Sequence, residues 1–336
     1  LRSQDGWEVW NYPSEHLREV GVEDIRFRGN WHEEDYNHSA DNPDFDLVFF
    51  RHVIDGWVRR CEFHDTVDTL KFERSARISL LNTDYHGVMG HKAMAMETCW
   101  NVLMAGGRSY APHYHVPSYD DSTTGFVLWR FDYSDSSYDP HGEWNISNLN
   151  DASRGSFING RMGSGYRDLP NHLRQLVFWN FEHVGTQTSF DWWRGMWDNH
   201  QSVVMPIIVG LHGNEISFQS DEVAYDEHHG QKVQPESLFE AQLEMRLGSL
   251  PDWLVAMGGG NNRHLDLEAR AKSHEEIMLR WRDFDEAAFY LLQRKQSGVD
   301  NQVMVVPLNA DSETYRDRNL QADTTYNYGI SAGIAP

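Results

Sequence analysis

A chain of 336 residues with 29 Lys+Arg against 51 Asp+Glu carries a formal charge of -22. That balance excludes a generally basic nucleic-acid binder and disfavours docking on anionic membranes. With 40% hydrophobic and 24% charged residues the chain is not disordered by composition, and its length fits two domains. The 13 Trp suit a packed core and equally suit a sugar-binding surface.

Cys61 and Cys99 are too few for a disulfide scaffold, and both lie in alternating segments, which predicts two buried thiols. No apolar run is long enough for a membrane helix. The chain opens at Leu1 without an initiator Met, in mid-pattern, and is read as a piece of a longer protein.

The first half consists of short segments with period-two alternation. Gly21 to Gly29, Gly56 to Asp65, Ala76 to Asp84, Cys99 to Gly107, Thr124 to Asp132 and Leu173 to Phe181 form one series. Asp46 to His52, Thr69 to Arg74 and Lys92 to Glu97 lie between them as second strands. Units of roughly 20 residues, built of strands and polar turns, mark a solenoid in which stacking rungs share a core. Inward positions include Ile25 and Phe27, Cys61 and Phe63, Ile78 and Leu80, and Val102 and Met104. The fold expected for residues 1–257 is a right-handed parallel β-helix. A β-sandwich is the alternative, but hairpin dipeptides are rare here.

Tyr133 to Asp168 breaks the rhythm and reads as a long loop walling a cleft. Val203 to Phe218 reads as the last strands. Glu236 to Leu247, with Pro235 before it and Gly248 after it, predicts a helix capping the solenoid. Gly258 to Gly260 reads as a linker. Beyond it, Leu265 to Ala271, Glu276 to Trp281, Phe289 to Arg294, Gln302 to Pro307 and Thr324 to Ser331 predict a small sandwich over 262–336. Ile277 to Trp281, Tyr290 to Arg294, Tyr315 to Asp317 and above all Thr324 to Ala332 resemble a fibronectin type III domain. The last of these looks like that family's penultimate strand with its Tyr corner.

No tight metal motif, Walker loop or GxSxG is present. The densest chemistry lies around the Cys99 rung: His86, His91, Lys92, Glu97, Arg108, Tyr110, His113, Tyr114, His115, Tyr119, Asp120 and Asp121. His and Tyr alternate from Ser109 to Tyr119. Such a pair suits β-elimination from a uronic acid, one group removing the C5 proton and the other protonating the leaving oxygen. The plain alternative is a connecting loop. His64, Asp65, Asp68, Glu73 and Arg74 form a second set, with carboxylates for a hydrolase or simply a turn. Asp120, Asp121, Asp132 and Asp135 are a calcium candidate without EF-hand spacing; no metal site is assigned. Phe190, Trp192, Trp193, Arg194 and Trp197 are core or sugar platform. Arg51, Arg59, Arg60, Lys71, Arg74, Arg77, Lys92, Arg108 and Arg130 recur through the rungs and would make a cationic ladder or a solvated face.

A β-helix joined to a fibronectin type III module looks like the secreted polysaccharide-degrading enzymes of environmental bacteria. Asp168 to Leu173 with Trp179 to Phe181, and Pro235 to Leu243, are similar to a family of β-helix modules of unassigned function in such bacteria. The resemblance implies a substrate class and transfers no catalytic residue. The first expectation is an extracellular or cell-surface polysaccharide lyase acting on an anionic glycan. His113 or His115 would be the base and Tyr119 the acid, with His86 and Lys92 also in the catalytic set. Arg74, Trp100, Arg108, Tyr114, Arg130, Trp192 and Trp193 would bind substrate. The alternatives are a glycoside hydrolase using Asp65, Asp68, Glu97, Asp120 or Asp121, and a non-catalytic glycan-binding or adhesion protein. No nucleic acid and no membrane insertion are expected.

Overall fold

The computed structural model describes residues 15–32, 46–138, 142–158, 172–192, 205–258, 267–281, 289–297, 303–310 and 312–333. The chain divides into two units, Leu1–Ala241 and Gln242–Pro336. The first is a parallel β-solenoid of about five turns. Its rungs are legible from alternation because one apolar face per strand must find the strand above and below. Val58, Leu80, Met104, Leu128, Asn150, Phe178 and Ile208 stand in register as one such column. Phe50, Phe72, Met96 and Tyr119 form another on a second, four-stranded sheet. All of these but Phe50 are buried, each large apolar side chain contributing about 1.5–3 kcal/mol.

The corners are made by single residues in the left-handed region. Arg60, Asn82, Gly106, Arg130, Ala152, Asn180 and Gly210 hold positive φ at one corner, and His52, Arg74, Thr98 and Asp121 at another. Each turns the chain between faces while side chains on either side keep pointing inward.

Cys61, Phe63, Ile78, Leu80, Val102 and Met104 lie in the core, as alternation implies, and Cys61 and Cys99 are buried free thiols. Ile25 does not: it is 45% exposed, between strands Gly21–Glu23 and Arg26–Arg28. The stretch read as a long loop is also different in its described part; 139–141 and 159–168 lie outside the described residues. Strands Asp132–Tyr138, Asn145–Asp151 and Arg154–Phe157 continue the solenoid. Their Ser, Asn and Asp residues hid the pattern, because several are buried and satisfied by hydrogen bonds instead of water. Ser153 Oγ, for example, donates to the Leu128 carbonyl at 3.2 Å.

Helix α1 (Leu238–Leu247) follows the last rungs. Ser237 caps it by accepting the Glu240 N–H at 3.1 Å. The boundary between the two units falls inside this helix, a little before the Gly258 to Gly260 segment expected to separate them. The second unit contains two three-stranded antiparallel sheets. One joins Glu268–Ser273, Glu276–Arg280 and Thr314–Arg318; the other joins Val303–Asn309, Phe289–Gln296 and Tyr326–Gly333. Leu279, Trp281, Tyr290 and Leu292 form its buried cluster, drawing on both sheets. No helix among the described residues is long and apolar enough to cross a membrane.

Candidate functional site

Alternation that sends Cys61 and Phe63 inward sends Glu62 and His64 outward. Parallel pairing then repeats the arrangement rung by rung. Arg28, His64 and His86 are in register, and Tyr110 follows one rung on, its N–H bonded to the Tyr85 carbonyl at 2.7 Å. The His64 and His86 rings stack with centroids 4.6 Å apart, and His86 and Tyr110 repeat that spacing. The Arg108 guanidinium lies 4.6 Å from the Tyr110 ring centre, a cation–π contact. Burial and the neighbouring His64 hold the His86 pKa below its ordinary value, which favours a neutral imidazole.

Beside this aromatic ladder runs a charged row. Arg26, Glu62, Asp84, Arg108, Asp132, Arg154, Glu182 and His212 occupy successive registers of the same sheet. Arg26 Nε lies 2.5 Å from Glu62 Oε2, and hydrogen bonding from Arg26 brings the Glu62 pKa down to about 2. The Arg108 N–H donates to Asp84 Oδ1 at 2.9 Å. Arg154 lies 3.5 Å from Asp132 and 3.3 Å from Glu182. A cavity of about 60 Å³ opens at the far end, between Arg154, Glu182, His212 and Lys232. Glu62, His64 and His86 also bring one ligand atom each to within 4.8 Å of one another, so this is where the described residues could hold a metal.

The expected catalytic residues are not brought together. His113 and His115 are 2% and 1% exposed, and Tyr119 is 1% exposed. The strands flanking the His/Tyr segment continue the rungs, and the segment turns these three rings into the core. His113 Nδ1 lies 3.4 Å from Ser109 Oγ, and burial pushes its pKa down to about 4. The His115 ring packs against His91 at 5.0 Å and Tyr114 at 4.8 Å. The Tyr119 and Tyr138 hydroxyls hydrogen-bond to each other inside the solenoid. A polymer reaches none of the three without unfolding rungs. Of the catalytic set only His86 joins the outer ladder. Lys92 stands on the four-stranded sheet, in register with Asp68 and His115.

Among the expected substrate residues Arg108 joins the ladder. Arg74 is a left-handed corner residue beside Glu73, and Trp100, 45% exposed, opens the strand Trp100–Ser109 away from it. Tyr114 is half-buried over His115. Trp192 is core, packed on Phe157, Phe178 and Phe190; Trp193 lies outside the described residues. Asp120 belongs to the four-stranded sheet and Asp132 to the charged row, so the aspartates considered for calcium stand on different sheets.

Arg130 has a different task. It is largely buried, its Nε 2.8 Å from Glu240 and its Nη1 3.3 Å from Glu236. Burial lowers its pKa and the two carboxylates more than offset that, leaving it raised. Trp129 Nε1 donates to the same Glu240 oxygen at 3.0 Å. Asp151 accepts the Leu238 and Phe239 N–H groups at 2.9 and 3.1 Å and the Ser237 hydroxyl. Asn180 binds Val233 in both directions and the Glu236 carbonyl, while Trp179 Nε1 donates to the Pro235 carbonyl. Of the two sequence stretches, Trp179 and Asn180 thus meet 233–236 as part of a latch for the start of α1, while 168–171 lie outside the described residues.

Sequence reasoning named His86, Arg108 and Tyr110 but missed that His64 completes the stack. It also missed that Arg28, Glu62, Arg154, Glu182 and His212 align with it. The usable signal was position within the rung: outward groups one rung apart must be neighbours.

Residues 112–257 match a family described as a domain of unknown function, DUF4955. The match contains the whole latch and ends at Met257. No curated protein matches the chain.

Proposed function

We propose that the protein is an extracellular polysaccharide-acting solenoid that lays an acidic glycan across the His64–His86–Tyr110 ladder and cleaves it by β-elimination. The observation that carries this reading is the stack itself: three rings in line on an outer face, with Arg108 against the last. Rings stacked on one another present their edges, so a glycan laid across them meets imidazole nitrogens and the Tyr110 hydroxyl, and a uronate needs a cation beside them. Tyr110, as its phenolate, takes the C5 proton and passes it to the departing O4 as the C4–O4 bond breaks and the C4–C5 double bond forms, with the Arg108 guanidinium held at its ring. The two imidazoles face the carboxylate. The solenoid is read as a right-handed parallel β-helix, the usual hand for parallel crossovers. The second unit is read as fibronectin type III-like. Its strand pairing and the Gln321 N–H bonded to the Tyr326 hydroxyl at 2.9 Å support that.

The test is a panel of uronate-containing polysaccharides, read by both ultraviolet absorbance of unsaturated product and new reducing ends. We expect absorbance from the native chain and at least a ~100-fold drop in Tyr110→Phe, within the range of general acid–base contributions. Undiminished elimination in both Tyr110→Phe and Arg108→Ala would overturn the assignment.

A hydrolase reading has one observation in its favour. Glu97 and Asp120 are in register on adjacent strands of the four-stranded sheet, which sets two carboxylates side by side as a hydrolase pair requires. Reducing ends without absorbance, abolished by Glu97→Gln, would select it.

A further inference from the structure

We propose that Glu62, His64 and His86 form a divalent transition-metal site, of zinc type, on the outer face of the solenoid. The argument begins with strand geometry. Glu62 and His64 are two residues apart on strand Trp57–His64 and so share a face. Parallel pairing sets His86 directly beside His64. One donor atom from each lies within 4.8 Å of the other two, and His64 Nε2 is 3.3 Å from Glu62 Oε2. Two ligands about 2.0–2.2 Å from a tetrahedral zinc stand roughly 3.3–3.5 Å apart. One pair therefore already has that spacing, and small side-chain rotations bring in His86.

The donor chemistry selects the ion. Two imidazoles and one carboxylate suit zinc and its neighbours in the first transition row, not calcium or magnesium, which take oxygen ligands. Three protein ligands leave a fourth position, which here faces outward. A bound ion there would sit at the foot of the ladder and take a substrate carboxylate. That use rests on the function proposed above, whereas the binding itself does not. Arg26 competes for Glu62 through its 2.5 Å ion pair, so removing its charge should tighten the site.

Two features argue against chance proximity. The three residues come from two strands locked by continuous pairing from Trp57 to His64, so the spacing is not a loop accident. The stack continues through Tyr110, which keeps the His86 ring beside His64.

The experiment uses the full chain after chelator treatment and dialysis, titrated with zinc by calorimetry and with cobalt by visible absorption, without any glycan. One equivalent of zinc should bind, with cobalt giving the intense bands of a low-symmetry site. His64→Ala and His86→Ala should each weaken binding at least tenfold, Arg26→Gln should tighten it, and His228→Ala, at an exposed site elsewhere, should leave it unchanged. Circular dichroism confirms that the variants remain folded. Failure to bind zinc, or binding indifferent to both His64→Ala and His86→Ala, would overturn the site. Zinc binding as described with no elimination on any glycan would refute the proposed activity and leave the site standing.

Discussion

The solenoid uses the same residue types in two opposite ways, and the outer row and the inner polar groups are the clearest pair. On the outside, His64, His86 and Tyr110 stack in a line beside charges that remain wetted. On the inside, His113, His115 and His172 are shut off from water. One residue's shift along a strand exchanges the two fates, because the side-chain period is two. The difference teaches that in this fold a dense cluster of His and Tyr in sequence says little about access. What decides is the parity of each position against the rung.

The comparison can be broken most forcefully at the latch. Glu240→Ala removes the main partner of buried Arg130 and should cost about 3–5 kcal/mol, as for other buried pairs cut on one side. Calorimetric or denaturant unfolding of the first unit measures it; a loss below ~1 kcal/mol would mean the latch is ornamental.

Acid should come next. His113 and His172 are pushed down to about 4 and about 3 by burial. Both are neutral when folded, while in the unfolded chain they take protons below about 6.5. The unfolded state then binds more protons, so stability falls as pH drops from about 6.5 towards 4. For His113 alone this is on the order of 3 kcal/mol. Asp151 works in the opposite sense: burial raises its pKa to about 6, so between the unfolded value and 6 the folded state binds the extra proton. Thermal melts across pH 7 to 4 should show a net decline, steeper in Asp151→Asn and shallower in His113→Leu. A flat profile would contradict the burial of the histidines.

The smallest effect belongs to the outer row. Arg26→Gln breaks an ion pair between groups 68% and 39% exposed and should leave the thermal midpoint nearly unchanged. A marked drop would show that the row is structural and not a free surface.

Much of the solenoid was legible from its residues. Trp57–His64 and Ala76–His86 alternate on either side of their corners, and their inward Cys61, Phe63, Ile78 and Leu80 are core as expected. Legibility failed where polar residues point inward. Asn148 and Asn150 are buried in mid-strand, their Nδ2 atoms bonded to His172 and Tyr133, so alternation of hydropathy disappears although the strand continues. It failed again for the site, because a column of outward groups is assembled across rungs. Until strand register is known, His64, His86 and Tyr110 are three unrelated positions. The latch was half visible: 168–181 and 235–243 stood out as a pair, but nothing in one dimension showed that Asn180 holds the chain at Val233 and Glu236.

The left-handed corners carry one further consequence. An ordinary L-residue there gives up about 1–2 kcal/mol relative to the right-handed region, and Thr98, β-branched at φ 53, is among the least suited. Arg130 and Asn180 are committed to the latch, but His52, Arg74 and Thr98 sit at the edge between faces, away from both the latch and the ladder. That second corner is therefore a seam along which the protein can be toughened while its working face is left alone.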